Sequence, residues 1–276
     1  MGAGATASRP ASPPSGARAP RRRGVARVAR AAVGCLALAA CSRGPKPEPV
    51  VPIVEVASRA QVDSLWRAAN REFRRGKWSK ALTQYERLAL ELGAGDPLQV
   101  EARFRIAECY LGQKEQLQAA REFRRVSDES PNHPLAPLAL LRAGDAYAEL
   151  WRRPELDDSY GKTAVATYRE LVSRYPDSKA ASRAQARIAD LEEMFAVKEF
   201  KAAQYYLRLK AWDSAILYLK DLVASYPRTR TAPAALLRLV EAYRRIGYQE
   251  DLRETCGYIQ RFHANYPGAA EACPGT

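Results

Sequence analysis

Histidine is nearly absent. The 276 residues hold two, His133 and His263, and no cluster of histidine, cysteine or aspartate accompanies either. That excludes a zinc centre and histidine-based acid–base chemistry, so no metal and no cofactor is expected. No P-loop, Gly-x-Ser-x-Gly, His-Glu-x-x-His or paired-cysteine motif occurs, and the chain reads as a non-enzyme. Gly93-Ala-Gly95 reads as a turn, Asp157-Asp158 as a solvated loop, and Glu192-Glu193 as solvent-facing on a helix. Long apolar runs are missing too. The ten uncharged residues Ala31–Ala40 are too few to span a bilayer. Sustained heptads are absent, and so is the two-residue alternation of strands. A hydrophobic content of 47% excludes a wholly disordered chain.

Acids are missing from residues 1–40, which carry seven arginines. The basic cluster Arg21–Arg30 precedes the apolar run, the order of a secretory signal. The run ends in Leu38-Ala39-Ala40-Cys41, which resembles the lipobox of bacterial lipoproteins. That resemblance implies cleavage before Cys41 and lipid (palmitate) on its thiol. Residues 1–40 are therefore expected to be a signal peptide. Either it begins at Met1, with a twin-arginine signal at Arg21–Arg23 left open, or residues 1–24 are an overextended start and it begins near Val25. The formal charge of +13 then shrinks. Removing seven of 44 basic residues leaves 37 against 31 acids, a balance of +6. Nucleic acid is not an expected partner. Residues 41–59 contain Pro45, Pro47, Pro49 and Pro52, which deny helix hydrogen bonds and suit a tether.

From residue 60 to 267 the apolar spacing is helical, and it repeats. A small residue is followed by large ones four and seven positions later: Ala81/Tyr85/Leu88, Ala119/Phe123/Val126, Ala164/Tyr168/Leu171, Ala215/Leu219/Leu222 and Thr255/Ile259/Phe262. In the last four, a proline stands twelve residues beyond the small one: Pro131, Pro176, Pro227 and Pro267. The small residue lets helices approach, the large ones share its face, and proline ends the run. A preceding helix with aromatic handles accompanies each copy, joined by turns at Gly76-Lys77-Trp78, Lys210-Ala211-Trp212 and Ile246-Gly247-Tyr248. The pattern resembles the tetratricopeptide repeat and predicts an all-α solenoid of about five helix pairs, with residues 268–276 as a tail. The repeats are longer than the usual ~34 residues. Trp151–Tyr160 and the proline- and glycine-free stretch Ser178–Lys210 hold the extra length.

Glu199–Ala215, Tyr226-Pro227 and Leu236–Tyr243, with Pro154-x-x-Asp157-Asp158 and Tyr175-Pro176-Asp177-Ser178, look like the BamD family of β-barrel assembly lipoproteins. The resemblance covers nearly the whole mature chain. It implies an outer-membrane lipoprotein, lipid-anchored and facing the periplasm, that binds a BamA-like barrel-assembly protein, other assembly lipoproteins and unfolded outer-membrane proteins. Ser42, in place of aspartate, is compatible with that membrane. Two departures stand out. Many members carry Asn-Arg where this chain has Leu217-Tyr218, and the first repeat closes on Leu92–Pro97 instead of Tyr-Pro. A periplasmic repeat adaptor for cell-wall synthesis or envelope constriction is the alternative.

Repeat solenoids work through first-helix side chains. The candidate peptide groove is therefore Trp66, Asn70, Phe73, Phe104 and Glu108, with packing between helices as the competing role for its aromatics. Trp66 stands where chaperone adaptors place a carboxylate-gripping lysine, which favours an apolar peptide. Tyr218 and Arg244 are the candidate partner-docking residues. Cys109 is expected to be a small core residue, and Cys256 and Cys273 are candidates for a disulfide that pins the C-terminus.

Overall fold

A computed structural model describes residues 58–92 and 95–274. The lipobox cysteine Cys41, the signal and most of the tether lie outside them, as do Gly93 and Ala94. The described residues form eleven helices and no strand: α1 (Arg59–Arg74), α2 (Trp78–Glu91), α3 (Pro97–Gly112), α4 (Gln116–Glu129), α5 (Ala136–Ala148), α6 (Ser159–Arg174), α7 (Lys179–Arg208), α8 (Trp212–Ser225), α9 (Ala232–Ile246), α10 (Gln249–Phe262) and α11 (Ala269–Ala272). The first ten pack in sequence order as five antiparallel pairs, each helix against the next. This is the all-α repeat solenoid that the periodicity predicts.

Local chemistry sets the ends. Ser58 and Gln61 form a reciprocal capping box at α1. Asp96 and Ser178 cap α3 and α7 through their side chains. The turn inside four pairs is one conformation repeated: a left-handed residue (Gly76, Lys114, Lys210 or Gly247), then a residue with ψ between 64° and 80° that starts the second helix. Glycine takes this turn without cost at two of the four places, whereas a lysine there pays for its Cβ.

The small residue and its two large partners are buried at 0–1% exposure in the first four copies. The fifth copy departs. Phe262 is 59% exposed, and α10 instead buries Cys256 and Ile259, with Leu252 half-buried. Leu252, Cys256 and Ile259 keep the four-and-seven spacing, three residues earlier than expected. The prolines show the same slip. Pro131, Pro176 and Pro227 directly follow the C-cap residues Ser130, Tyr175 and Tyr226, but the C-cap of α10 is His263, four residues before Pro267. The extra residues carry the chain into α11, so residues 268–276, expected as a tail, contain a helical turn whose Ala269 is buried.

The two long segments join the halves. Thirty residues make α7 about 45 Å long. Its first half packs with α5 and α6 through Ala180, Ala184 and Leu191, and its second half packs with α8 and α9 through Ala196 and Ala203. Trp151, from the α5–α6 loop, is 1% exposed and stacks on Phe195 of α7 at 4.4 Å. Phe195 stacks in turn on Tyr226 at 5.8 Å. A Cβ on Gly161 would stand 2.2 Å from the Trp151 ring, so only glycine admits the tryptophan. Glu193 corrects the solvent reading. Its carboxylate accepts from the Arg230 N–H at 2.6 Å and the Thr231 hydroxyl at 2.7 Å, fixing the start of α9.

Candidate functional site

The first-helix side of the first two pairs holds the five groove candidates, and most of their polar capacity is already used. Phe104 is a correction: at 5% exposure it meets Phe123 edge-on at 5.1 Å and belongs to the core. Trp66 and Phe73 are half-buried, edge-on to Tyr85 at 5.6 and 6.2 Å, and Phe73 also meets Trp78 at 5.1 Å. Asn70 donates to the Trp66 carbonyl at 2.9 Å, and its own carbonyl accepts from the Tyr85 hydroxyl at 3.0 Å. Burial pushes that hydroxyl up to about 12, because ionising it would strand a charge among packed rings. Glu108 pairs with Arg105 at 2.6 Å, and the Arg105 guanidinium lies 5.2 Å from the centre of the Phe73 ring. What this side presents outward is the rims of Trp66 and Phe73 beside an Arg105–Glu108 pair.

Further along the same side is a crevice of about 530 Å³ that no sequence pattern indicated. Its lining includes Arg142 and Asp145 of α5, and Arg187, Leu191 and Met194 of α7. The Tyr168 hydroxyl donates to Asp145 at 2.8 Å, and Arg187 stands 3.5 Å from the same carboxylate. Tyr168 reaches it by crossing α5 at Gly144, where a Cβ would come within 2.3 Å of the ring. Burial, then the Asp145 charge, pushes the Tyr168 phenol upward. These groups lock α5, α6 and α7 together.

The docking candidates lie in the last two pairs. Tyr218 is half-buried and stacks on Tyr206 of α7 at 5.2 Å. Around the α7–α8 turn, Tyr205, Leu209 and Leu217 are 52%, 59% and 60% exposed. An alignment of apolar residues alone does not reveal this patch, because exposure depends on where α7 ends. Arg244 donates to the Ala272 carbonyl at 2.7 Å, so its guanidinium clasps the chain's own C-terminal turn. A disulfide joins Cys256 and Cys273, with Cα atoms 5.5 Å apart. Cys109 is a buried free thiol, pushed up to about 12 by desolvation. Among the described residues, no group of three or more His, Cys, Asp or Glu side chains is placed to hold a metal, and no helix is long and apolar enough to cross a membrane.

Five consecutive helix pairs, four with the same turn geometry and four with the same buried triad, define a tetratricopeptide-repeat protein. The chain belongs to the YfiO family of outer membrane lipoproteins, whose model matches residues 58–258. Among named relatives, it is 26% identical over 240 residues to the outer membrane protein assembly factor BamD of Vibrio cholerae, covering 82% of this chain and 95% of the relative. It is 26% identical over 218 residues to BamD of Neisseria meningitidis, covering 75% and 79% of the two chains. Among solved structures, the TPR2AB domain of yeast Sti1 in its pHSP90 complex has a TM-score of 0.44 at 12% identity, covering 79% of each chain.

Proposed function

We propose that this chain is a lipid-anchored scaffold for outer-membrane protein assembly, facing the periplasm and held by lipid on Cys41. The observation that carries the reading is the family match over residues 58–258, together with relatives named assembly factors that align along most of their length. The scaffold docks a BamA-like barrel-assembly protein, alongside other assembly lipoproteins, through its last two pairs. The Tyr206–Tyr218 stack with exposed Tyr205, Leu209 and Leu217 supplies the apolar surface for that contact. Arg244 contributes indirectly, by holding the C-terminal turn. Unfolded outer-membrane proteins meet the first-helix side of the first two pairs, at Trp66, Phe73 and the Arg105–Glu108 pair. Scaffolding, not catalysis, is the expected activity. The test is crosslinking and capture from the cell envelope with a tagged chain. Recovery of the barrel-assembly protein supports the reading, and its absence from the crosslinked material defeats it. Mass analysis of the mature N-terminus tests lipid on Cys41 separately.

A further inference from the structure

The outer side of the first helix pair carries more positive charge than its neighbours neutralise. Between residues 67 and 80 stand Arg67, Arg71, Arg74, Arg75, Lys77 and Lys80 against a single acid, Glu72. That acid is engaged, 3.1 Å from Arg75 and 4.0 Å from Lys77. Arg67, Arg71, Arg74 and Lys80 are exposed, and none has a carboxylate within ion-pair distance among the described residues. Arg67, Arg71 and Arg74 are spaced by four and three, which lines them along one face of α1. Arg71 and Lys80 both line an open crevice of about 470 Å³ between α1 and α2, together with Glu72, Lys77, Thr83 and Gln84.

An apolar residue extends this surface. Leu90 is 87% exposed, the highest value among the exposed large hydrophobic side chains of the described residues. It lies seven residues beyond Thr83, so it continues the same face of α2. Because the pair is antiparallel, the end of α2 that bears Leu90 lies beside the start of α1, where the segment from Cys41 enters. Unneutralised cations on a face that a bare leucine extends are the chemistry of a peripheral membrane contact. The cations are drawn to anionic headgroups while the apolar side chain enters the headgroup–acyl boundary. The seventeen residues from Cys41 to Ser58 reach at most about 60 Å. The α1 helix is only about 24 Å long. A lipid on Cys41 therefore permits this face to lie against the bilayer.

We infer that the outer face of α1 and α2, through Arg71, Lys80, Arg67, Arg74 and Leu90, is a contact surface for a bilayer containing anionic phospholipid. It would orient the solenoid against the membrane that anchors it. The inference deepens the proposed lipid-anchored location but does not need the lipid itself.

The test uses the mature chain from residue 41 carrying Cys41→Ser, so that no acyl chain contributes. Its sedimentation is measured with vesicles of phosphatidylethanolamine and phosphatidylglycerol, and with vesicles of phosphatidylcholine alone. Binding is expected only to the anionic vesicles, with loss as salt rises well above about 0.1 M, where screening shortens the reach of the charges. Each cation at an anionic surface favours binding by roughly fivefold, so Arg71→Gln/Lys80→Gln should weaken partitioning about 25-fold. Leu90→Ser should weaken it further. Arg228→Gln/Arg230→Gln removes the same charge from the α8–α9 loop and should leave binding within about twofold, since those charges lie off the contact face. All these side chains are exposed, so the variants keep the wild-type melting curve. Equal binding to phosphatidylcholine, no binding to either vesicle, or equal loss in the α8–α9 variant would each overturn the inference. An unlipidated Cys41 in cells combined with full vesicle binding by this face would refute the anchor and leave the surface standing.

Discussion

The disulfide between Cys256 and Cys273 should decide whether the solenoid has a closed C-terminal end. The two cysteines are 17 residues apart. Closing a loop of that size in the unfolded chain removes about 10 cal/mol/K of entropy, or roughly 3 kcal/mol at 25 °C. Without the crosslink, noncovalent contacts hold residues 264–274. They include the Arg244–Ala272 hydrogen bond, the Gln260–Cys273 hydrogen bond at 3.3 Å, the burial of Ala269, and the half-buried Tyr266 and Ala272 packed on the core of the last pairs. Two hydrogen bonds contribute about 1 kcal/mol each, and the buried apolar surface adds about 2–3 kcal/mol. Ordering the residues of this segment costs about 1–2 kcal/mol apiece, which exceeds that sum. The double variant Cys256→Ala/Cys273→Ala should therefore fray locally and leave the distant repeats folded, because each repeat couples only to its neighbours. Hydrogen exchange followed by mass spectrometry should show protection of peptides within residues 264–274 falling roughly 150-fold. Peptides from α1 to α6 should be unchanged, and a reducing agent added to the wild-type chain should reproduce the effect. Unchanged protection at residues 264–274, or a loss spread evenly over all five pairs, would refute the reasoning.

Four further outcomes follow from the packing. Gly144→Ala should cost about 2–3 kcal/mol in denaturant melts, because its Cβ would meet the Tyr168 ring at 2.3 Å and pull that hydroxyl from Asp145. Phe195→Ala should cost about 3–4 kcal/mol and change tryptophan fluorescence, since it removes the ring between Trp151 and Tyr226. Lys114→Gly or Lys210→Gly should be neutral or stabilising by up to about 1 kcal/mol, because both backbones sit at positive φ, 63° and 58°. Stability should fall in alkali. Burial raises Tyr85 and Tyr243 from 10.0 to about 12, and Cys109 from 9.0 to about 12. Their protonated forms are favoured by folding, so that stability is complete below pH 9 and is lost between pH 9 and 12 as the unfolded groups ionise. Chemical melts with tyrosinate absorbance across that window test it, and an unchanged midpoint at pH 11 would contradict the burial of these groups.

The periodicity of the sequence determined the repeat. A face of small and large residues at four and seven positions must be buried, and proline must end the helix that carries it, so Ala81–Leu88, Ala119–Val126, Ala164–Leu171 and Ala215–Leu222 were legible as buried stripes. Glycine and aromatic residues marked the turns, and two late cysteines marked a pair that the fold brings together. Tertiary structure decided what periodicity leaves degenerate. In α10, both Thr255/Ile259/Phe262 and Leu252/Cys256/Ile259 satisfy the same spacing. Phe262 stays 59% exposed with the Tyr258 ring beside it at 4.8 Å, and the second set turns inward. Phe104 and Asn70 looked like groove residues because first helices line that side, yet Phe123 and Tyr85 arrive from second helices and claim them. Glu193 looked solvated because a helix surface is polar by default, but the α8–α9 loop returns to it and uses its carboxylate. A spacing rule reports which side chains share a face. Which partner meets that face, and whether solvent still reaches it, depends on elements dozens of residues away.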